Sequence, residues 1–247
     1  LRQENNIGQE DTMNDFQGQT VLITGAAGNL GRAVTQAFSD RGAQLVLVGR
    51  HRDTLRNAFG EEGARRLFVA ADLLQASQAA GAATAAMTRF GRIDVLCNLA
   101  GGFHMGEAVH ETSPAHWDAM FGLNVQTLLH MAQAVVPAML AQGCGKIVNV
   151  GAMAAQRGQA QMGAYIAAKS AVIRLSESMA AELREKNINV NCVLPSILDT
   201  PENRAAMPKA DPTRWVAPDA LASVIVFLAS DAARAIHGAA LPVSGLS

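Results

Sequence analysis

The chain has 247 residues, 49% of them hydrophobic and 17% charged, enough apolar material for one large buried core. With 20 Lys and Arg against 21 Asp and Glu, the formal charge of −1 gives no bulk electrostatic case for nucleic acid or an anionic membrane surface. The three cysteines, Cys97, Cys144 and Cys192, form no Cys-x-x-Cys pair or metal spacing and read as reduced thiols of a cytoplasmic protein, and no apolar run reaches the ~18 residues of a membrane span.

Residues 1–16 are polar and aperiodic and lack the apolar stretch of a signal peptide. They are expected to form a flexible N-terminal extension, with Met13 a candidate start, ahead of a single domain over 17–247. Residues 20–24 read as a first strand and 29–41 as a helix. A second strand follows at 44–48, a helix near 53–59, a third strand at 66–70, an Ala-rich helix at 77–90 and a fourth strand at 93–97. Ser113 before Pro114 is a helix start, with Ser as the cap and Pro at the first helical position. That helix should run to about residue 141, bent by Pro137. A fifth strand at 146–150, a helix at 163–186, a sixth strand at 188–193, a helix at 218–229 opened by Pro218, and a short strand at 240–243 complete the chain. Strand alternating with helix throughout predicts an α/β fold: one doubly wound, Rossmann-like parallel sheet with helices on both faces. Ligands of such sheets bind beyond the carboxyl ends of the strands, at the switch point.

The residues that carry chemistry fall at those ends. Thr24-Gly25-Ala26-Ala27-Gly28-Asn29-Leu30-Gly31 lies between the first strand and the first helix, where glycines let backbone N–H groups approach a pyrophosphate. The second strand ends Val48-Gly49-Arg50-His51-Arg52, with no acid to accept a ribose 2′-hydroxyl. A guanidinium there suits a 2′-phosphate, which favours NADP(H) over NAD(H). Tyr165, the only tyrosine, stands four residues before Lys169, so the two share a helix face. An adjacent ammonium favours the phenolate and is expected to draw the tyrosine toward neutral pH. His104, His110 and His116 recur every six residues, a spacing that matches no metal-ligand pattern on a helix, and no metal is expected.

This loop, Arg50, Asn98-Leu99-Ala100-Gly101, Asn124 and the Tyr165/Lys169 pair occur in an order that resembles the short-chain dehydrogenase/reductase family over residues 18–245. The resemblance implies Tyr165 as acid or base, Lys169 holding the nicotinamide ribose and lowering the tyrosine pKa, and Asn124 supporting a water relay. It implies cofactor contacts at Gly25, Gly28, Asn29, Leu30 and Gly31, at Asp72 and Leu73 near the adenine, at Asn98, Ala100 and Gly101, and at Pro195 and Thr200 by the nicotinamide. Two positions depart from the family: the middle glycine of the loop is Asn29, and the catalytic serine, thirteen residues before the tyrosine, is Ala152. Losing that hydroxyl should slow an ordinary ketone reduction by about 10²–10³.

A narrower resemblance, to the quinonoid dihydropteridine reductases, runs from Leu194-Pro195-Ser196-Ile197-Leu198-Asp199-Thr200-Pro201 through Met207-Pro208 to Trp215, and includes the Ala at the serine position. Arg50 and Asn124 depart from that group. It implies a conjugated acceptor that needs little carbonyl polarisation. Three readings stay open: a dihydropteridine-type reductase, a reductase of another carbonyl, imine or quinone, and a dinucleotide-binding sensor or scaffold without catalysis. Phe103, His104, Met105, Met153, Gln156, Met162 and the loop at Trp215 are candidates to line the substrate pocket. The family's helix-bundle interface implies a homodimer or homotetramer through helices that carry Met131, Ala134 and Met179.

Overall fold

The computed structural model describes residues 15–247, and most of the expected extension lies outside the described residues. Its last position does not behave as an extension. Phe16 is 1% exposed and meets Phe38 edge to face at 4.9 Å between ring centres, so the ordered body begins at or before residue 16. A buried aromatic of this size contributes about 1.5–3 kcal/mol, enough to fix the chain locally.

Among the described residues, seven parallel strands form one sheet: β1 Thr20–Thr24, β2 Gln44–Gly49, β3 Arg66–Ala70, β4 Val95–Asn98, β5 Gly145–Val150, β6 Ile188–Pro195 and β7 Ala240–Val243. Their order is β3-β2-β1-β4-β5-β6-β7, so the winding reverses between β1 and β4. Register pairs Val21 with both Leu45 and Val95, and Thr24 with both Val48 and Asn98. The strands are apolar on both sides because both sides are covered. Val21, Ile23, Leu45, Leu47, Val95 and Val148 meet α1 (Asn29–Ser39) and α8 (Pro218–Ala229) on one face. Leu22, Val46, Leu96, Ile147 and Val190 meet α3 (Ala76–Phe90), α5 (Thr127–Gln142) and α6 (Gly163–Leu183) on the other. The Ala-rich α3 fits closely because its buried positions, Ala79, Ala82, Ala83 and Ala86, repeat at helical spacing. The short α2 is Arg52–Phe59.

The helix expected over 114–141 is interrupted, though not at its proline. α4 (Pro114–Phe121) starts on Ser113, whose Oγ accepts the His116 N–H at 3.2 Å. A π turn at Gly122–Gln126 then leads into α5. Pro137 lies on the exposed side of α5, where a helix tolerates a lost hydrogen bond most easily. The turn at 122–126 turns Asn124 inward, and π turns are commonly found at functional sites. The 201–206 segment, not expected as regular structure, forms α7 (Pro201–Ala206), capped by Thr200 Oγ1 on the Asn203 N–H. No described helix is long and apolar enough to cross a membrane.

Candidate active site

The switch point is set by close backbone approach. Gly25 has φ +63°, and a Cβ there would lie 3.0 Å from the Ala100 nitrogen, across the β1–β4 gap. A Cβ on Gly31 would stand 2.3 Å from the Gly25 carbonyl oxygen. Only hydrogen fits at either position, and the α1 N-terminus therefore opens directly beside β4. Gly28 caps α1 with no side chain in the way, leaving the first-turn N–H groups facing outward. This cradle fits a pyrophosphate. Thr24, which sequence reasoning left without a role, closes the seam: its Oγ1 accepts the N–H groups of Leu99 and Ala100, each at 3.0 Å. Asn29 is exposed and donates from Nδ2 to Glu202 Oε2 on α7 at 2.7 Å, which brings α7 onto the loop. Leu30 is half-buried and packs against the α1/α8 core.

At the end of β2, the basic cluster divides. Arg52 is committed to structure, donating to the Phe68 carbonyl at 3.0 Å and pairing with Glu62. Arg50 is exposed, with no hydrogen bond or ion pair among the described residues. Asp72, after β3, accepts the Leu74 N–H at 3.1 Å. Leu73 is buried, and its carbonyl accepts from the His130 ring at 2.8 Å. Asn98 does not face the groove: its amide donates to Asn149 Oδ1 at 2.9 Å, and Asn149 donates to Ser176 Oγ at 2.8 Å. That buried chain staples β4 and β5 to α6. Ala100 and Gly101 follow at the groove rim.

The catalytic candidates lie where β4 and β5 end and α6 begins. Lys169 is 7% exposed and its Nζ donates to the Val150 carbonyl at 2.8 Å. Asn124 donates to the carbonyls of Gly102 and Met120, at 3.0 and 2.9 Å, and accepts the Gly102 N–H at 3.2 Å. A Cβ on Gly101 would touch Asn124 Oδ1 at 2.8 Å and Lys169 Nζ at 3.4 Å, so these three are immediate neighbours. Tyr165 lies one turn before Lys169 on α6, against Phe103, whose ring meets it edge-on at 4.8 Å. The expected fall in the tyrosine pKa is not what this packing produces. Burial pushes Tyr165 up to about 12 and Lys169 down to about 8, because an apolar surround disfavours phenolate and ammonium alike. Ala152 is 5% exposed, packed among Leu128, Val172, Ile173, Cys192 and Leu194, and brings no hydroxyl to the centre.

On the substrate side, Pro195 ends β6 inside the core and Thr200 caps α7. Trp215 anchors its loop in the core: it is 8% exposed, and the following Val216 carbonyl accepts the Asp199 N–H at 2.8 Å. Phe103 and Met105 are exposed, at 57% and 48%. The expectation that the histidines form no ligand set was drawn from 104, 110 and 116. The fold leaves His110 at the surface and gathers His104, Glu107 and His116, with ligand atoms all within 4.8 Å of one another. The spacing His-x-x-Glu with a second His nine residues on was the available signal, obscured by counting histidines alone.

Residues 19–211 match the family model for short chain dehydrogenases. The chain is 36% identical to D-threitol dehydrogenase of Mycolicibacterium smegmatis over 246 residues, 94% of each chain. Among solved structures it is similar to the 3-ketoacyl-(acyl-carrier-protein) reductase of Brucella melitensis complexed with NADH (TM-score 0.84, 30% identity, 93% of this chain and 98% of that one). It is also similar to an NAD⁺-bound xylitol dehydrogenase (TM-score 0.86, 27% identity, 93% and 99%).

Proposed function

The chain belongs to the short-chain dehydrogenase family, and from that premise we propose that it is an NAD(P)(H)-dependent oxidoreductase working between a carbonyl-type group and its reduced form, with reduction the favoured direction. The carrying observation is the Tyr165–Lys169 pair on the first turns of α6, at the carboxyl edge of a sheet whose switch point is lined by Gly25 and Gly31. Nicotinamide, when bound, supplies hydride at its C4. The protein's part is proton delivery and positioning. A phenol held protonated by burial is a donor, so Tyr165 gives its proton to the acceptor atom as that atom gains negative charge. Lys169, fixed through the Val150 carbonyl, has N–H groups left that would hold the nicotinamide ribose, and its charge offsets the phenolate left behind. Asn124 holds the 101–102 backbone in place through both ends of its amide.

Two finer points belong to the same reading. The cofactor is NADP(H) before NAD(H), because Arg50 is exposed and uncommitted and no acid stands beside it at the end of β2. The substrate is a conjugated, electrophilic acceptor of the quinonoid dihydropterin kind, since Ala152 leaves no hydroxyl to polarise an ordinary carbonyl. A second reading, oxidation and reduction of small alcohols and ketones, is favoured by the likeness to D-threitol dehydrogenase. We also infer a homodimer or homotetramer. Trp117, Leu129 and Leu140 expose apolar surface along α4 and α5, whereas Met131 is fully buried against the sheet and unavailable for contact.

A spectrophotometric screen tests the proposal. NADPH consumption with quinonoid dihydropterin, lost in Tyr165→Phe, supports it; turnover confined to polyols favours the second reading, and tight dinucleotide binding without any turnover overturns both. Arg50→Asp should shift the NADPH/NADH affinity ratio by about tenfold or more toward NADH; an unchanged ratio removes the cofactor preference. Ala152→Ser should change pterin turnover little. A hundredfold gain would refute the serine-independent account.

A further inference from the structure

We propose that His104, Glu107 and His116 form a binding site for a divalent transition ion such as Zn²⁺, which clamps the loop between β4 and α4 beside Tyr165. His116 Nδ1 lies 2.5 Å from Glu107 Oε1, and His104 Nε2 lies 3.9 Å from the same oxygen. The two imidazoles pack against each other, ring centres 4.2 Å apart. In a tetrahedral zinc site with bonds of about 2.0–2.1 Å, donor atoms stand about 3.3 Å apart. The donors here, all within 4.8 Å of one another, stand about 1.5 Å or less beyond that spacing. Two imidazoles and a carboxylate are a borderline-soft donor set that suits Zn²⁺ or Co²⁺ better than Mg²⁺ or Ca²⁺. Independently of the spacing, Glu107 Oε2 is shut off from solvent and has no hydrogen-bond partner among the described residues. It is an acceptor awaiting a donor or a cation.

The position gives the site a consequence. Phe103, next to His104, packs on Tyr165. The Gly106 N–H donates to the Gln161 carbonyl at 2.9 Å, and Val109 Cγ2 would stand 2.8 Å from a Cβ on Gly163. The loop therefore rests on the first turn of α6, and an ion joining it to His116 on α4 fixes the wall of the substrate pocket without touching the cofactor cradle.

Metal-stripped full-length protein would be dialysed against ZnSO₄ and assayed for bound metal, and titrated separately with CoCl₂. The expected result is one equivalent of zinc per chain and a tetrahedral Co²⁺ visible band, with quenching of Trp117, the neighbour of His116. His104→Gln, Glu107→Gln and His116→Gln should each weaken zinc binding by at least ~10-fold, while circular dichroism stays that of the parent protein. NADPH affinity should not move. Absence of a stoichiometric ion, or zinc binding that survives the double change His104→Gln/His116→Gln, overturns the proposal. These readouts use no substrate, so their failure leaves the oxidoreductase assignment untouched, and the reverse holds as well.

Discussion

The two sides of the switch point are built differently. The β1–α1 loop is shaped by missing side chains: Gly25 and Gly31 sit where a Cβ would strike backbone at 3.0 and 2.3 Å. The Asn124–Tyr165–Lys169 side is shaped by polar atoms forced into the interior, each held by a named partner or pushed off its ordinary pKa. Steric exclusion makes the first side intolerant of size and indifferent to charge state. Desolvation makes the second tolerant of isosteres in folding and intolerant of them in chemistry. The two departures from the family pattern follow this division. Asn29 is accommodated because its side chain leaves the loop toward Glu202, whereas Ala152 packs among apolar neighbours and brings no polar atom to them.

The contrast can be broken at five positions. Tyr165→Phe keeps the ring against Phe103 and deletes only the hydroxyl, so turnover should fall by about 10²–10⁴ with cofactor affinity and unfolding midpoint unchanged. Turnover within a few-fold of the parent would mean the phenol is not the acid. Gly31→Ala should cost about 1–3 kcal/mol in urea unfolding and abolish measurable dinucleotide binding, because backbone must yield to the methyl. Asn29→Gly, two residues away, should be nearly neutral, and equal damage from both would erase the distinction.

Lys169→Met tests the opposite side. The folded pKa of about 8 lies below the ordinary 10.5, so unfolding takes up a proton between these values and stability rises with pH across that window. Below it the buried charge costs about 3 kcal/mol relative to an unperturbed lysine. Without cofactor, the Met variant should therefore be more stable at pH 7 by roughly 1–3 kcal/mol, and the advantage should fade between pH 8 and 10.5 while activity is lost. Tyr165 acts in the other sense: its pKa is raised from 10.0 to about 12, so its contribution declines with pH in that range. A Met variant less stable than the parent at pH 7 would show that the Val150 hydrogen bond outweighs desolvation. A small effect is expected at the latch: Glu202→Ala removes a carboxylate beside the phosphate cradle and should tighten dinucleotide binding about two- to fivefold by calorimetry. Weaker binding instead would make α7 a cover that assists the ligand.

Much of this was open to sequence reasoning. Strand β1 and helix α8 have their expected ends, and the Ser113–Pro114 start holds to the hydrogen bond. The interruption at 122–126 was not foreseen, because Pro137 offered a local cause while the π turn coincides with Asn124 bonding to Gly102, twenty-two residues earlier. Asn98 matched a family motif, yet its side chain is spent on Asn149. The gathering of Glu107 with His104 and His116 was not foreseen, because the spacing of the histidines was read without the carboxylate between them.

The alternation of apolar strands with amphipathic helices, the glycines after β1 and the Tyr-x-x-x-Lys spacing were fixed by the chain itself, since each follows from local geometry over a few residues. What the tertiary structure decided is the direction in which buried groups titrate, which of Arg50 and Arg52 stays uncommitted, and which side chains from distant loops converge. Those depend on the water excluded and the partners supplied by segments far away in sequence, and no local pattern carries that information.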